Sequence, residues 1–400
     1  MTLRLLSLLG LLAAGCGTRA TVDCSTLPLE NPSARGEAGG VWDEGRQRLV
    51  FFGGDQGVPQ QCIPNTDFVG DTWAFSPSCG AFQKVAADPA PPPRGRQATA
   101  LDPARGWMIL HGGRFRDGTS GAYTLYDDTW ALDLATDTWT ELSPSGPGAR
   151  TNHVGVVSRD RFVIYGGNAS TSGTSFTPLG DVWSLDLTTN AWTEQTPSGT
   201  APRPRLFHAA AVSDDGKTMY VYGGGGANAF TGPFYKDLWA LDLDTWTWTL
   251  LDDGTEAGAP RGRIWANLVY DDPRDRLVLW AGHDDGQLGN TNQLWAFDLQ
   301  AAQWTELIEG DVLDNGSAGF CNFPSDFVTP DLASPERRDG GVAAVTGDGE
   351  LIVFGGKSDC GLLDDVWTWP LDGGPWTNDA RATTGEICPR SAQDCQSLCY

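Results

Sequence analysis

Lysine is scarce in this chain: 4 residues in 400, beside 23 Arg, 4 His and 3 Met. The 27 basic side chains face 51 acidic ones, for a net charge of −24. Such a field repels phosphate backbones and anionic lipid, which argues against nucleic acid as a partner. Beyond the first twenty residues no apolar run approaches the roughly 20 residues that a membrane-spanning helix needs. Amphipathic helical periodicity is absent as well. No Cys-x-x-Cys pair exists to suggest a zinc site. Gly-x-Ser-x-Gly is missing, since Asn315-Gly316-Ser317-Ala318-Gly319 lacks its first glycine, and "GGGGAN" at 223–228 lacks the spacing of a dinucleotide loop. Acidic pairs such as Asp252-Asp253 follow no calcium pattern. The expectation is therefore no cofactor, no metal and no catalytic constellation.

What the chain does have is 51 Gly, 25 Pro and 17 Trp, with alternating apolar runs, a composition of many short strands and turns. At the N-terminus, Arg4 precedes an apolar run from Leu5 to Ala14, which reads as a secretory signal. Leu12-Ala13-Ala14-Gly15-Cys16 resembles a bacterial lipobox, which implies lipidation at Cys16 and residence in the cell envelope, or secretion if the signal is an ordinary one. Membrane contact would then run through the lipid anchor alone. Eight further cysteines (Cys24, Cys62, Cys79, Cys321, Cys360, Cys388, Cys395 and Cys399) form an even set, as exported disulfide proteins have. Two pairings are expected: Cys321 with Cys360, and Cys24 or Cys79 with the C-terminal tail, bracing the ends of the fold.

One pattern repeats six times. Aromatic pairs nine residues apart occur at Trp73/Phe82, Trp130/Trp139, Trp183/Trp192, Trp239/Trp248, Trp295/Trp304 and Trp367/Trp376. Each follows a β-rich run that ends in paired glycines, such as "LVFFGG" and "FVIYGG", with Ala281-Gly282 as the one relic. Upstream stands an Arg-led second run, as in "RTNHVGVV" and "RLFHAAAV". Every unit thus predicts four antiparallel strands, with turns at Asp215-Gly216 and Asp348-Gly349. A lone meander leaves both sheet faces wet, so the units must pack face to face around an axis.

The Arg start with Arg150-x-x-His153 and Arg205-x-x-His208, the double glycine, the Asp-x-Trp and the closing Trp resemble the kelch repeat over residues 35–379. That resemblance implies an all-β fold: a six-bladed kelch-type β-propeller with four antiparallel strands per blade. The organisation expected is a signal peptide at 1–15, a linker at 16–34, the propeller at 35–379 and a Cys-rich tail at 380–400. Unit 5, with Ala281-Gly282 and Asn292-Gln293-Leu294-Trp295, reads as decayed. The Asp two before each first Trp (Asp71, Asp128, Asp181, Asp237 and Asp365) is expected to accept backbone N–H groups at a turn.

Function is expected on the face that carries the loops after Gly-Gly. The distance from Gly-Gly to the next Trp falls from 20 residues in unit 1 to 12 in unit 6, so one side of the rim is taller. Its loops carry Arg114, Phe115, Arg116, Tyr123, Tyr126, Phe176, Phe230, Phe234 and Tyr235, a set that either meets a ligand or packs loop against loop, with His283 lower on the rim. The blade-start residues Arg35, Arg94, Arg150, Arg205, Arg261 and Arg338 are expected to ring the axial mouth, where their guanidinium groups either hold a ligand's carboxylate or pair with neighbouring carboxylates of this acidic chain. The reading is a monomeric module that binds a protein or a glycan. The alternative is an enzyme resembling the kelch-type sialic acid mutarotases, gripping a sugar carboxylate with the Arg ring. The 308–336 segment, the longest connection, reads as a cover on the same rim.

Overall fold

Alternating apolar residues pair across each repeat as the turn signals require: Val41 faces Val50, Val156 faces Val163 and Val269 faces Val278. The structure, a computed structural model, describes residues 24–26, 30–57, 65–85, 88–142, 146–284, 289–313, 328–329, 331–358 and 361–381. Among these residues stand six four-stranded antiparallel sheets, each built from consecutive strands of one repeat, so no strand is exchanged between the chain's ends. They are numbered here as blades 1 to 6. The Asp-Gly turn at Gly216 has φ +68° and the one at Gly349 has φ +80°, the left-handed geometry that glycine adopts without strain.

The first strands (Gly39–Asp43, Ala98–Asp102, Val154–Ser158, Ala209–Val212, Asn267–Asp271 and Val342–Val345) stand side by side around the axis, the last beside the first. Between successive blades lie six separate apolar cores, the sixth joining blade 6 to blade 1. There Phe51 stacks on Phe354 at 4.1 Å between centroids, and Phe82 meets the same ring edge-on at 5.7 Å. Fourth-strand aromatics lean on the preceding blade: Trp139 Nε1 donates to Thr72 Oγ1 at 3.0 Å, and Trp304 Nε1 donates to Asp252 Oδ2 at 2.7 Å. Burying one such side chain contributes about 1.5–3 kcal/mol, and there are several in every seam.

A polar clamp sits at the top of each blade. In blade 2, Arg94 Nη1 donates to the Gly112 carbonyl at 3.0 Å, and its two Nη atoms hold Asp128 at 2.5 and 2.8 Å. The same carboxylate accepts the Trp130 indole N–H at 2.8 Å. Arg35/Asp71/Trp73, Arg150/Asp181/Trp183, Arg205/Asp237/Trp239 and Arg338/Asp365/Trp367 repeat it. These aspartates therefore accept a guanidinium and an indole N–H, not the backbone N–H groups expected of a turn residue. Burial alone would raise the carboxyls of Asp71, Asp128, Asp181 and Asp237, yet the facing arginines hold each below its ordinary value.

The clamp also links neighbours. The second glycine of each pair donates its N–H to the next blade's arginine carbonyl: Gly54 to Arg94, Gly113 to Arg150, Gly167 to Arg205, Gly224 to Arg263, Gly282 to Arg338, and Gly356 to Arg35, at 2.9–3.0 Å. A Cβ on Gly112 would meet the Arg150 carbonyl at 2.7 Å and one on Gly113 the Gly95 carbonyl at 3.0 Å, so both positions crowd a side chain, and blade 5 alone carries one, the small Ala281. The last link returns to the first blade, so the ring closes through backbone bonds. Cys24 pairs with Cys79, 55 residues apart, inside the blade 1 region. The bond expected from either of them to the tail is thereby replaced. Cys16, Cys62, Cys321, Cys360, Cys388, Cys395 and Cys399 lie outside the described residues, and the pairing expected for Cys321 and Cys360 lies there with them.

Two stability measurements follow. Asp128→Ala leaves the fully buried Arg94 without its counter-charge, and urea denaturation should show a loss of about 3–5 kcal/mol. Reducing the Cys24–Cys79 bond opens a 55-residue loop and should cost about 4 kcal/mol by chain entropy, with the pair visible in a non-reduced peptide map.

Candidate functional site

Two residues after each clamp arginine the backbone turns into the left-handed region at Glu37, Arg96, Asn152, Phe207, Trp265 and Gly340, all with φ between +55° and +64°. Their peptide groups form a closed circle: each N–H donates to the carbonyl of the same position in the preceding blade, from Arg96 onto Glu37 round to Gly340 onto Trp265 and Glu37 onto Gly340, at 2.8–3.5 Å. This circle is the axial mouth. Below it lies a pocket of about 140 Å³, which continues into a shaft lined by Gln97, His153, His208 and Asn267.

The predicted arginines are placed elsewhere. Arg35, Arg94, Arg150, Arg205 and Arg338 are buried, with their guanidinium groups engaged in the clamps, so none of them reaches freely into the mouth. Arg261 is displaced altogether: its side chain is 58% exposed, 3.8 Å from Asp284, while Arg263 occupies the clamp position and bonds the Ala281 carbonyl and Gln293 Oε1. "RGR" holds two candidates, and the repeat's offset from Gly-Gly selects the second. A sugar carboxylate gripped by the Arg ring, as the mutarotase alternative requires, has no free ring to meet.

Most loop aromatics pack loop against loop. Tyr123 is buried under Arg114 and Arg116, whose guanidinium carbons lie 4.1 and 4.3 Å from its ring, and its N–H donates to Thr171 in the next blade's loop. Phe234 is buried 5.9 Å from the His283 ring, and His283 Nδ1 lies 3.1 Å from Asn290 Oδ1. At the mouth, Phe176 and Phe230 from these loops meet Phe207 and Trp265 of the circle. Phe207 contacts Trp265 at 4.3 Å, Phe176 at 5.6 Å and Phe230 at 5.8 Å, and Phe176, Phe230 and Trp265 remain partly exposed.

Opposite this aromatic side lies a charged one. Glu37 takes Arg96 at 2.5 Å, Lys357 at 2.6 Å and Arg114 at 3.3 Å, and Lys357 also reaches Asp55 at 3.4 Å. Burial opposes ionisation of Glu37, but Arg96, Lys357 and Arg114 together hold its carboxyl well below the usual range. Arg96 crosses the mouth, with its guanidinium carbon 4.7 Å from the Trp265 ring and 5.3 Å from Phe207. His153 and His208, buried beside the shaft, are driven well below their ordinary value by burial and stay neutral. Among the described residues no group of three or more His, Cys, Asp or Glu is placed to hold a metal ion.

Blade 5 departs from the repeat for a structural reason. Asn292 donates to Asp311 Oδ1 at 3.0 Å and to the Pro335 carbonyl at 2.8 Å, and accepts the Asp311 N–H at 2.8 Å. Arg337 closes the network on Asp311 at 3.1 Å. The unit that reads as decayed thus anchors both ends of the long connection to the rim; residues 314–327 of that connection lie outside the described set. The mouth residues themselves escaped sequence reasoning. Their signal was a constant offset of two from the clamp arginine, at which Glu, Arg, Asn, Phe, Trp and Gly differ in every unit while their neighbours repeat.

Asp339, buried beside Lys357, His283, Glu37 and Arg96, has its carboxyl pushed up to about 6, above all by burial. A raised folded value means the folded chain holds the extra proton between about pH 4 and 6, so this group favours folding at low pH and the benefit is lost as pH rises through 6. Asp339→Asn should therefore gain on the order of 3 kcal/mol over wild type at pH 7.5 and nothing at pH 4, read by urea denaturation at both.

Known sequences carry the same pattern. The profile of the KLHDC2/KLHL20/DRC7 Kelch-repeats domain matches residues 42–271. The chain is 26% identical over 280 residues to the leucine-zipper-like transcriptional regulator 1 homolog of Drosophila melanogaster, across 68% of this chain and 25% of that protein. It is 31% identical over 222 residues to Kelch domain-containing protein 2 of Bos taurus, across 51% of this chain and 50% of that one. With Kelch domain-containing protein 3 of Bos taurus the identity is 26% over 278 residues, 64% of this chain and 63% of that one. In each case the alignment spans less than two thirds of the relative. With the clamps, the paired glycines and a profile match over more than half of its length, the chain belongs to the kelch-repeat family.

Proposed function

We propose that this protein is a protein-binding module that engages its partner on the loop-bearing face around the axial mouth. One observation carries the reading: Phe176, Phe230 and Trp265 stay partly exposed at a concave mouth whose backbone is tied into a hydrogen-bonded circle. Aromatic anchors on a rigid, preorganised frame are what protein interfaces concentrate their affinity in. A protein partner fits this arrangement better than a glycan, because the cationic side chains at the rim are turned inward onto Glu37, Asp55 and Tyr123. The lipobox-like Leu12–Cys16 stretch and the Cys24–Cys79 disulfide support an exported, lipid-anchored chain in the cell envelope.

Two measurements test this. A photo-crosslinking benzoylphenylalanine at position 230 should yield a discrete protein adduct in the native envelope, whereas the same group at Thr189, on the opposite face, should not; equal adducts at both sites refute the reading. Cys16→Ser should abolish fatty-acid incorporation and release the chain from the membrane fraction.

A further inference from the structure

The mouth pocket holds more information than its aromatic wall. At about 140 Å³ it is close to the 150 Å³ or so of an apolar cavity that takes one benzene ring. It therefore suits a single aromatic or branched aliphatic side chain. Phe207 and Trp265 line it, and Phe230 and Phe176 extend the apolar surface beyond.

Its polar groups are unusual. Asn152 is 7% exposed, and among the described residues neither Nδ2 nor Oδ1 of its side chain has a partner. Around the same space the Trp265 indole N–H, Arg96 Nε and Nη1, and Gln97 Oε1 are likewise buried and unpartnered. Leaving such a group unmet is costly, so a ligand that meets several gains correspondingly. Because both ends of the Asn152 amide are open, the conclusion does not depend on which way the amide is assigned. The set mixes donors with acceptors. A carboxylate only accepts and an ammonium only donates, but an amide does both.

Charge points the same way. The cations nearest the pocket, Arg96, Arg114 and Lys357, already converge on Glu37, with Asp55 behind Lys357. An incoming carboxylate would have to displace Glu37, and would approach a molecule of net charge −24. A cationic side chain would meet Arg96 lying across the aromatic wall.

We propose that the axial mouth recognises an uncharged amide carried beside an aromatic or branched aliphatic side chain, as an internal stretch of a partner's polypeptide presents it. The side chain fills the pocket against Phe207 and Trp265, and the adjoining amide pairs with Asn152. This rests on the protein-binding reading and specifies what that site takes.

The test is a titration of the full chain, labelled with 5-fluorotryptophan, with three probes: N-acetylphenylalanine amide, N-acetylphenylalanine with its free carboxylate, and N-acetylarginine amide. The neutral amide should bind most tightly and shift the Trp265 fluorine resonance, identified by its loss in Trp265→Phe. Asn152 has φ +59°, so alanine would be strained there; Asn152→Gly removes the amide while keeping the backbone, as Gly340 does at the equivalent position of blade 6. It should weaken the neutral amide about tenfold, and Trp265→Phe, which keeps an aromatic ring but removes the donor, about threefold, both read by titration calorimetry. Tighter binding of the carboxylate or arginine probe, no binding of any probe, or wild-type affinity in Asn152→Gly overturns the proposal. A partner whose crosslinking at position 230 keeps its wild-type concentration dependence in Asn152→Gly would overturn it too, while leaving the loop-face reading intact.

Discussion

The arginine clamp is the interaction on which the rest of this structure depends. A guanidinium buried at the top of a blade must be paired, because an unmatched charge away from water is among the costliest things a fold can contain. Here the pairing is made by a carboxylate that also takes a tryptophan N–H, while the same arginine's carbonyl accepts a glycine N–H from the previous blade. One residue thus orients its own third strand and registers its blade against the neighbour. Blade 5, where Gln293 stands for the aspartate, keeps the geometry with a neutral acceptor and brings Asp284 to 4.0 Å from Arg263.

Closure follows from repeating that link. Propellers must join their last blade to their first, and here it is done by Gly356 onto Arg35 and by Glu37 onto Gly340, both local copies of bonds made at every other seam, with the Phe51–Phe354 stack filling the core beside them. A ring held this way is stiff at its inner edge, where the circle of peptide bonds lies, and its loops can differ freely outside. The mouth inherits that division: backbone positions are identical around the circle, and chemistry differs at each of the six side chains that sit on it.

The fold was legible because its signals are periodic. Aromatic pairs nine apart, paired glycines and Arg-led strands each answer to a local need: a seam to fill, a turn without room for Cβ, a charge to be held. The site was less legible. Arg94, Arg150, Arg205 and Arg338 repeat so faithfully because they are scaffold, so the repetition that drew attention to them as a ligand ring was evidence of the clamp. Tyr123 and Phe234, in loops of variable length, read as surface aromatics and are buried, since loop-to-loop packing leaves no periodic trace in one chain. Asn292 and Gln293 read as decay, yet Asn292 holds the ends of the long connection and Gln293 completes the blade 5 clamp.

By itself the sequence determined the all-β repeat, its strand order, the seams between blades and the acidic field, because each is set by local pattern or by composition. Only the tertiary structure decided that Cys24 meets Cys79, and that Glu37, Arg96, Asn152, Phe207, Trp265 and Gly340 share one mouth. Those six lie dozens of residues apart and, the aromatic Phe207 and Trp265 aside, have no chemistry in common. Closing the ring alone brings them together, and their proximity is a property of the circle that no single repeat contains.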